Sequence, residues 1–108
     1  MNYFKMIKEE LNKNDTDVYF TVSLLMNYLN DNHLLEKNYI SKMKRFVELE
    51  SNKHLIDDAN YEDLILGLTV IYRTDYMSSD NSTYLMYYKN GMIPKLLDKL
   101  IVKIEEVL

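Results

Sequence analysis

The sequence predicts an all-α fold, a compact bundle of five to six short helices in a single helical domain over residues 1–108. Apolar residues recur at spacings of three and four almost from end to end, the period of one helical face. Clusters of Asn, Asp and Ser flank these runs, where their side chains cap new helices or form exits. By mass scaling, a chain of 108 residues has roughly 6,300 Å² of folded surface against about 18,900 Å² unfolded, enough burial for one core.

The elements follow in order. Residues 2–13 place Phe4, Ile7 and Leu11 on one face and Lys5, Lys8, Glu9 and Asn12 on the other. Asn14-Asp15-Thr16-Asp17 then supplies acceptors for the unpaired amides of a second helix, from about Thr16 to Asn30. Val18, Val22, Leu25 and Leu29 form its buried stripe, widened by Tyr19, Met26 and Tyr28. Asn30-Asp31-Asn32-His33 ends it, because Asn tolerates the left-handed conformation of a helix exit. A third helix is expected from about Glu36 to Ser51, with Ile40, Met43 and Val47 inward and Tyr39 and Phe46 flanking.

Residues 52–60 read as a polar connection, and Asn60 followed by Glu62 and Asp63 opens a fourth helix over 61–74. Leu64, Ile65, Leu66, Leu68, Val70, Ile71 and Tyr72 surround its middle turns, so it is the core helix. A strand over Leu66 to Tyr72 is the rival reading, and the Asx cap and the length favour helix. Residues 75–82 read as a loop, and Ser82 to Lys89 as a short helix with an exit at Asn90-Gly91. Pro94 opens a last helix, with Ile93, Leu97, Leu100, Ile104 and Val107 in register.

Composition removes several functions. Without cysteine there is no disulfide scaffold, thiolate metal site or Cys nucleophile. A net charge of −4 argues against a general nucleic-acid binder, since counterion release needs a positive surface. No apolar run reaches the length of a membrane span, and Met1-Asn2-Tyr3-Phe4-Lys5 lacks the pattern of a secretory signal. The expected location is cytoplasmic. The excess of Lys, Asn and Tyr over Ala, Gly, Pro and Arg is the composition an AT-rich genome writes, which points to a low-GC bacterium or one of its phages or plasmids.

Catalytic and metal chemistry find little support. Glu50, His54 and Asp58 stand at i, i+4 and i+8 with Asp57 nearby, but a helix ending near Ser51 scatters them. The adjacent carboxylates Glu9-Glu10, Asp57-Asp58 and Glu62-Asp63 diverge by about 100° on a helix and do not converge on one bond. Gly67 and Gly91 cannot form a phosphate-cradling loop. Neither an enzyme, a metal site nor a cofactor is expected.

The informative feature is an asymmetry. Between Ile56 and Met86, six carboxylates oppose Arg73 alone, a local −5 in a chain of −4, so the remainder carries +1. Six of ten tyrosines lie at 61, 72, 76, 84, 87 and 88. Tyrosine supplies rigid amphipathic contact area, and carboxylates around it complement a basic partner. The expected contact residues are Asp57, Asp58, Glu62, Asp63, Asp75, Tyr76, Asp80, Tyr84, Tyr87 and Tyr88.

The expected function is that of a small intracellular module, monomeric or homodimeric, that occupies or inhibits a partner protein bearing a basic surface. An immunity protein or a phage anti-defence inhibitor of the anti-CRISPR kind has this character by analogy of size, charge and fold. The alternative is a homo-oligomeric regulatory or DNA-associated protein. Its Lys37, Lys42, Lys44, Arg45 and Lys53 group, or its Lys95, Lys99 and Lys103 stripe, would meet phosphate, and the second and third helices would form a helix-turn-helix. The Ile93 to Val107 seam would then pair with its own copy.

Overall fold

The computed structural model describes residues 2–78 and 80–107. Six α-helices and two 3-10 turns account for the ordered elements among them, and the fold is all-α. No helix of these residues is long and apolar enough to cross a membrane.

Helix α1 (Tyr3–Leu11) begins where the Asn2 side chain accepts from the Phe4 amide, and it buries Phe4, Ile7 and Leu11. Asp17 caps α2 (Val18–Asp31) in the same way, and Val22, Leu25, Met26 and Leu29 form its buried side. The α2 exit is a Schellman turn: the Leu34 amide donates to the Leu29 carbonyl and the His33 amide to the Asn30 carbonyl. The left-handed residue is His33, at φ 57°, rather than one of the three residues before it.

The expected third helix departs most from observation. Thr69 Oγ1 accepts from the Glu36 amide, the chain is irregular through Asn38, and a 3-10 turn then runs over Tyr39–Lys42. Only then does α3 (Met43–Ser51) begin. A 3-10 turn advances three residues per turn and shifts the helical phase. Phe46 and Leu49 therefore point inward, and Phe46 meets Tyr87 edge to face at 6.3 Å. Ile40, Met43 and Val47, expected inside, are 73%, 36% and 50% exposed.

The connection after α3 is a second 3-10 turn, Lys53–Asp58, with Ile56 and the following Ala59 buried. Helix α4 (Tyr61–Met77) starts at the Asn60 cap, and every residue from Leu64 to Ile71 is buried. It continues three residues past the expected end, so Asp75, Tyr76 and Met77 are helical rather than loop. Helix α5 (Thr83–Lys89) leaves through Gly91 at φ 89°, and α6 (Met92–Val107) begins two residues before Pro94. Met92, Ile93, Leu96, Leu97, Leu100 and Ile101 of α6 are buried, so the seam suggested for self-pairing is consumed inside the molecule. The Val107 side chain lies outside the described residues.

Helix α4 is the axis of the bundle, packed against α3, α5 and α6, while α1 bridges α2 and α6. At Gly67 the approach is closest: a Cβ there would stand 3.0 Å from both methyl carbons of Leu96. The radius of gyration is 13.0 Å, the value of about 13 Å expected for one compact unit of this length.

Candidate functional site

Two polar stripes face each other across the α2–α4 junction. On α2, Tyr19, Ser23 and Asn27 fall at i, i+4 and i+8; on α4, Tyr72, Asp75 and Tyr76 fall at i, i+3 and i+4. Together with Tyr84 of α5 they line a cleft of about 270 Å³. Three tyrosines grade from interior to rim: Tyr84 is buried, Tyr19 is half-buried against it with ring centroids 5.3 Å apart, and Tyr76 is 77% exposed.

Asp75 is the charged group of this cleft. Its Oδ2 accepts from the Tyr19 hydroxyl at 3.3 Å, and its Oδ1 is buried with no hydrogen-bond partner among the described residues. Burial raises its pKa, and the nearby Asp80 adds to the shift. The position is unfavourable in a further way. Asp75 lies in the last turn of α4, which has no basic residue, where the helix dipole disfavours a carboxylate. Burial and the Asp75 charge in turn push Tyr19 and Tyr84 upward, so both remain phenols at neutral pH.

Beside the cleft, the Arg73 guanidinium lies 5.4 Å from the Tyr72 ring centroid and 5.8 Å from that of Tyr39. Its Nε is buried without a hydrogen-bond partner among the described residues. Arg73 thus spends its charge on two aromatic faces and does not neutralise Asp75.

The ten expected contact residues do not form one surface. Asp57, Asp58, Glu62 and Asp63 stand at the N-terminal end of α4, and Asp75, Tyr76 and Asp80 at the other, roughly 20 Å away by helical rise. Two carboxylates of the first group are engaged internally. Asp57 faces Lys95 at 3.2 Å and Lys99 at 3.8 Å, and Lys95 above all holds its pKa low. Asp63 accepts from Arg45 Nη2 at 2.9 Å and Nε at 3.2 Å. Asp80 caps its own loop, accepting from the Ser82 and Ser78 hydroxyls, which lower its pKa.

The tyrosines divide as sharply. Tyr84 and Tyr87 are 3% and 7% exposed, too buried to be the open contact residues expected of them. Tyr87 enters the core because its hydroxyl has a partner there, the Glu50 carboxylate, to which it donates. Tyr88 is half-buried and donates to the Leu11 carbonyl, tying α5 to α1. Asp75, Tyr76 and Tyr84 are the three that converge on the cleft.

Comparison with protein-family models, curated proteins and solved structures returned no match.

The cleft residues on α2 were overlooked in the sequence because Tyr19 reads as a widening of the apolar stripe. The Tyr19-Ser23-Asn27 spacing is the signal that finds them. The basic groups are in part spoken for: Lys42 pairs with Glu36 at 3.0 Å and Arg45 with Asp63. Helix α3 packs on α4 rather than forming the expected helix-turn-helix with α2. Glu50 is taken by Tyr87 and His54 is exposed, and no group of three metal-ligating side chains occurs among the described residues.

Proposed function

We propose that this protein is a binding module that acts by occupying a partner protein, and that a cationic side chain of the partner enters the tyrosine-lined cleft to meet Asp75. The observation that carries the reading is the Asp75 Oδ1, buried within aromatic walls and without a partner among the described residues. A carboxylate that is partly buried, placed at the wrong end of a helix and close to Asp80 is disfavoured in its charged form. Groups kept at such a cost cluster at functional sites. A lysine or arginine would supply the missing donor, and the Tyr76 and Tyr19 rings would cover its aliphatic stem and charged head. Tyr76 and Met77, 77% and 75% exposed, extend the contact surface outside the cleft. Immunity or anti-defence inhibition is the role such an occupying protein suits, by analogy of size and charge.

The test is affinity purification with tagged wild type, Asp75→Lys and Tyr76→Ala, with calorimetry on the recovered partner. A partner held by wild type in a salt-sensitive manner and lost with Asp75→Lys supports the reading. Equal affinity for wild type and Asp75→Lys overturns it.

A further inference from the structure

We infer that the cleft selects the guanidinium of an arginine over the ammonium of a lysine; this rests on the cleft being a cation site and names the cation. The basis is where the hydrogen-bond donors of the cleft already point. The Tyr19 hydroxyl donates to Asp75 Oδ2 at 3.3 Å, and the Ser23 hydroxyl donates to the Tyr19 carbonyl at 2.8 Å. Toward the cleft, the oxygens of Tyr19 and Ser23 are therefore acceptors, beside a carboxylate that only accepts. Asn27, exposed at the rim of the same stripe, can turn a further acceptor inward, its amide oxygen. The hydroxyls of Tyr72, Tyr76 and Tyr84 serve in either role.

Such a set of acceptors ranks the groups that could enter. A carboxylate or phosphate brings further acceptors and a charge of the same sign as Asp75. A guanidinium brings five N–H donors and no acceptor, whereas an ammonium brings three from a single atom. The acceptors stand on two facing helices, Ser23 and Asn27 on α2 and Asp75 on α4. A planar fork directs N–H groups from opposite edges and can bond both walls at once, while the donors of an ammonium held by Asp75 stay close to that carboxylate. The aromatic lining favours the same choice, because a guanidinium stacks on tyrosine rings and is more weakly hydrated than an ammonium. Tyr72 already carries Arg73, 5.4 Å from its ring centroid, so the ring that covers the incoming group is Tyr76, 77% exposed at the rim.

The probes are N-acetylarginine methylamide and N-acetyllysine methylamide, each titrated to about 50 mM at low salt into isotope-labelled protein while the backbone amide resonances are followed. The arginine probe should shift the resonances around Ser23, Asn27 and Asp75 with a dissociation constant on the order of millimolar, and the lysine probe should bind about tenfold more weakly. Asp75→Asn should abolish the response to both. Removing the two α2 acceptors together, in Ser23→Ala/Asn27→Ala, should bring the ratio of the two affinities close to one. Equal affinity of wild type for both probes, or tighter binding of lysine, overturns the selectivity and leaves the cation site standing. A ratio that Ser23→Ala/Asn27→Ala does not move overturns it as well. Binding of neither probe, or binding that survives Asp75→Asn, overturns the cation site and the selectivity together.

Discussion

Tyr19 on α2 donates a hydrogen bond from its phenol to Asp75 on α4, 56 positions away and 3.3 Å distant, and the other carboxylate oxygen is buried and without a partner among the described residues. Burial raises the Asp75 pKa, so the folded chain holds the Asp75 proton to higher pH than the unfolded chain does. Stability therefore falls as pH rises from the ordinary carboxylate range through the folded value. Asp75→Asn should raise the melting temperature at neutral pH by the equivalent of a few tenths of a kcal/mol, the modest size reflecting solvent screening. The gain should vanish below the ordinary carboxylate range, where wild type is protonated in both states. Asp57 and Glu36, whose pKa values are lowered by Lys95 and by the Asn38 amide with Lys42, act with the opposite sign. The informative quantity is thus the variant-minus-wild-type difference in thermal melts across pH. A variant less stable than wild type at neutral pH would contradict the account.

Tyr87 and Tyr76 should separate stability from binding. Tyr87→Phe removes the donor to Glu50 and leaves a half-buried carboxylate without it, a loss of about 1–2 kcal/mol in urea unfolding. Tyr76→Ala, at an exposed position, should change stability by no more than about 0.5 kcal/mol while weakening the partner complex.

His33 holds a left-handed conformation that side chains with a Cβ adopt at a cost of roughly 1–2 kcal/mol. Glycine removes that strain but adds unfolded-state freedom worth roughly 0.5–1 kcal/mol. His33→Gly should therefore stabilise the chain by about 0.5–1 kcal/mol, read as a higher urea midpoint at constant slope.

Gly67 permits the close approach of α4 to α6. Gly67→Ala gains about 1 kcal/mol of helix propensity but drives its methyl against both methyls of the fully buried Leu96. The net effect should be a loss of about 1 kcal/mol, larger for Gly67→Val. Made in a Leu96→Ala background, Gly67→Ala should become neutral or stabilising, because the space is then open.

The register of α3 has its own check. Phe46→Ala should cost about 3–5 kcal/mol and Val47→Ala no more than about 0.5 kcal/mol, the reverse of what the stripe expected inside would give.

The sequence by itself determined the helical class, the Asn60 cap, the Gly91 exit and the buried faces of α1, α2, α4 and α6. These rest on interactions within one or two turns, and the residues that make them are neighbours in the chain. The approximate limits of α1, α2, α5 and α6 were legible for the same reason, whereas α4 ran on through Met77 and α3 began at Met43 rather than near Glu36. Only the tertiary structure decided the phase of α3, because the 3-10 turn Tyr39–Lys42 precedes it and Phe46 packs against Tyr87, 41 positions away. It also decided what the acidic segment became. Charge along a chain carries no direction: Asp57 turned to Lys95, Asp63 to Arg45 and Asp75 to Tyr19, each fixed by a partner on another element. The compositional excess at −5 was therefore real, and its division between the two ends of one helix was a matter of packing.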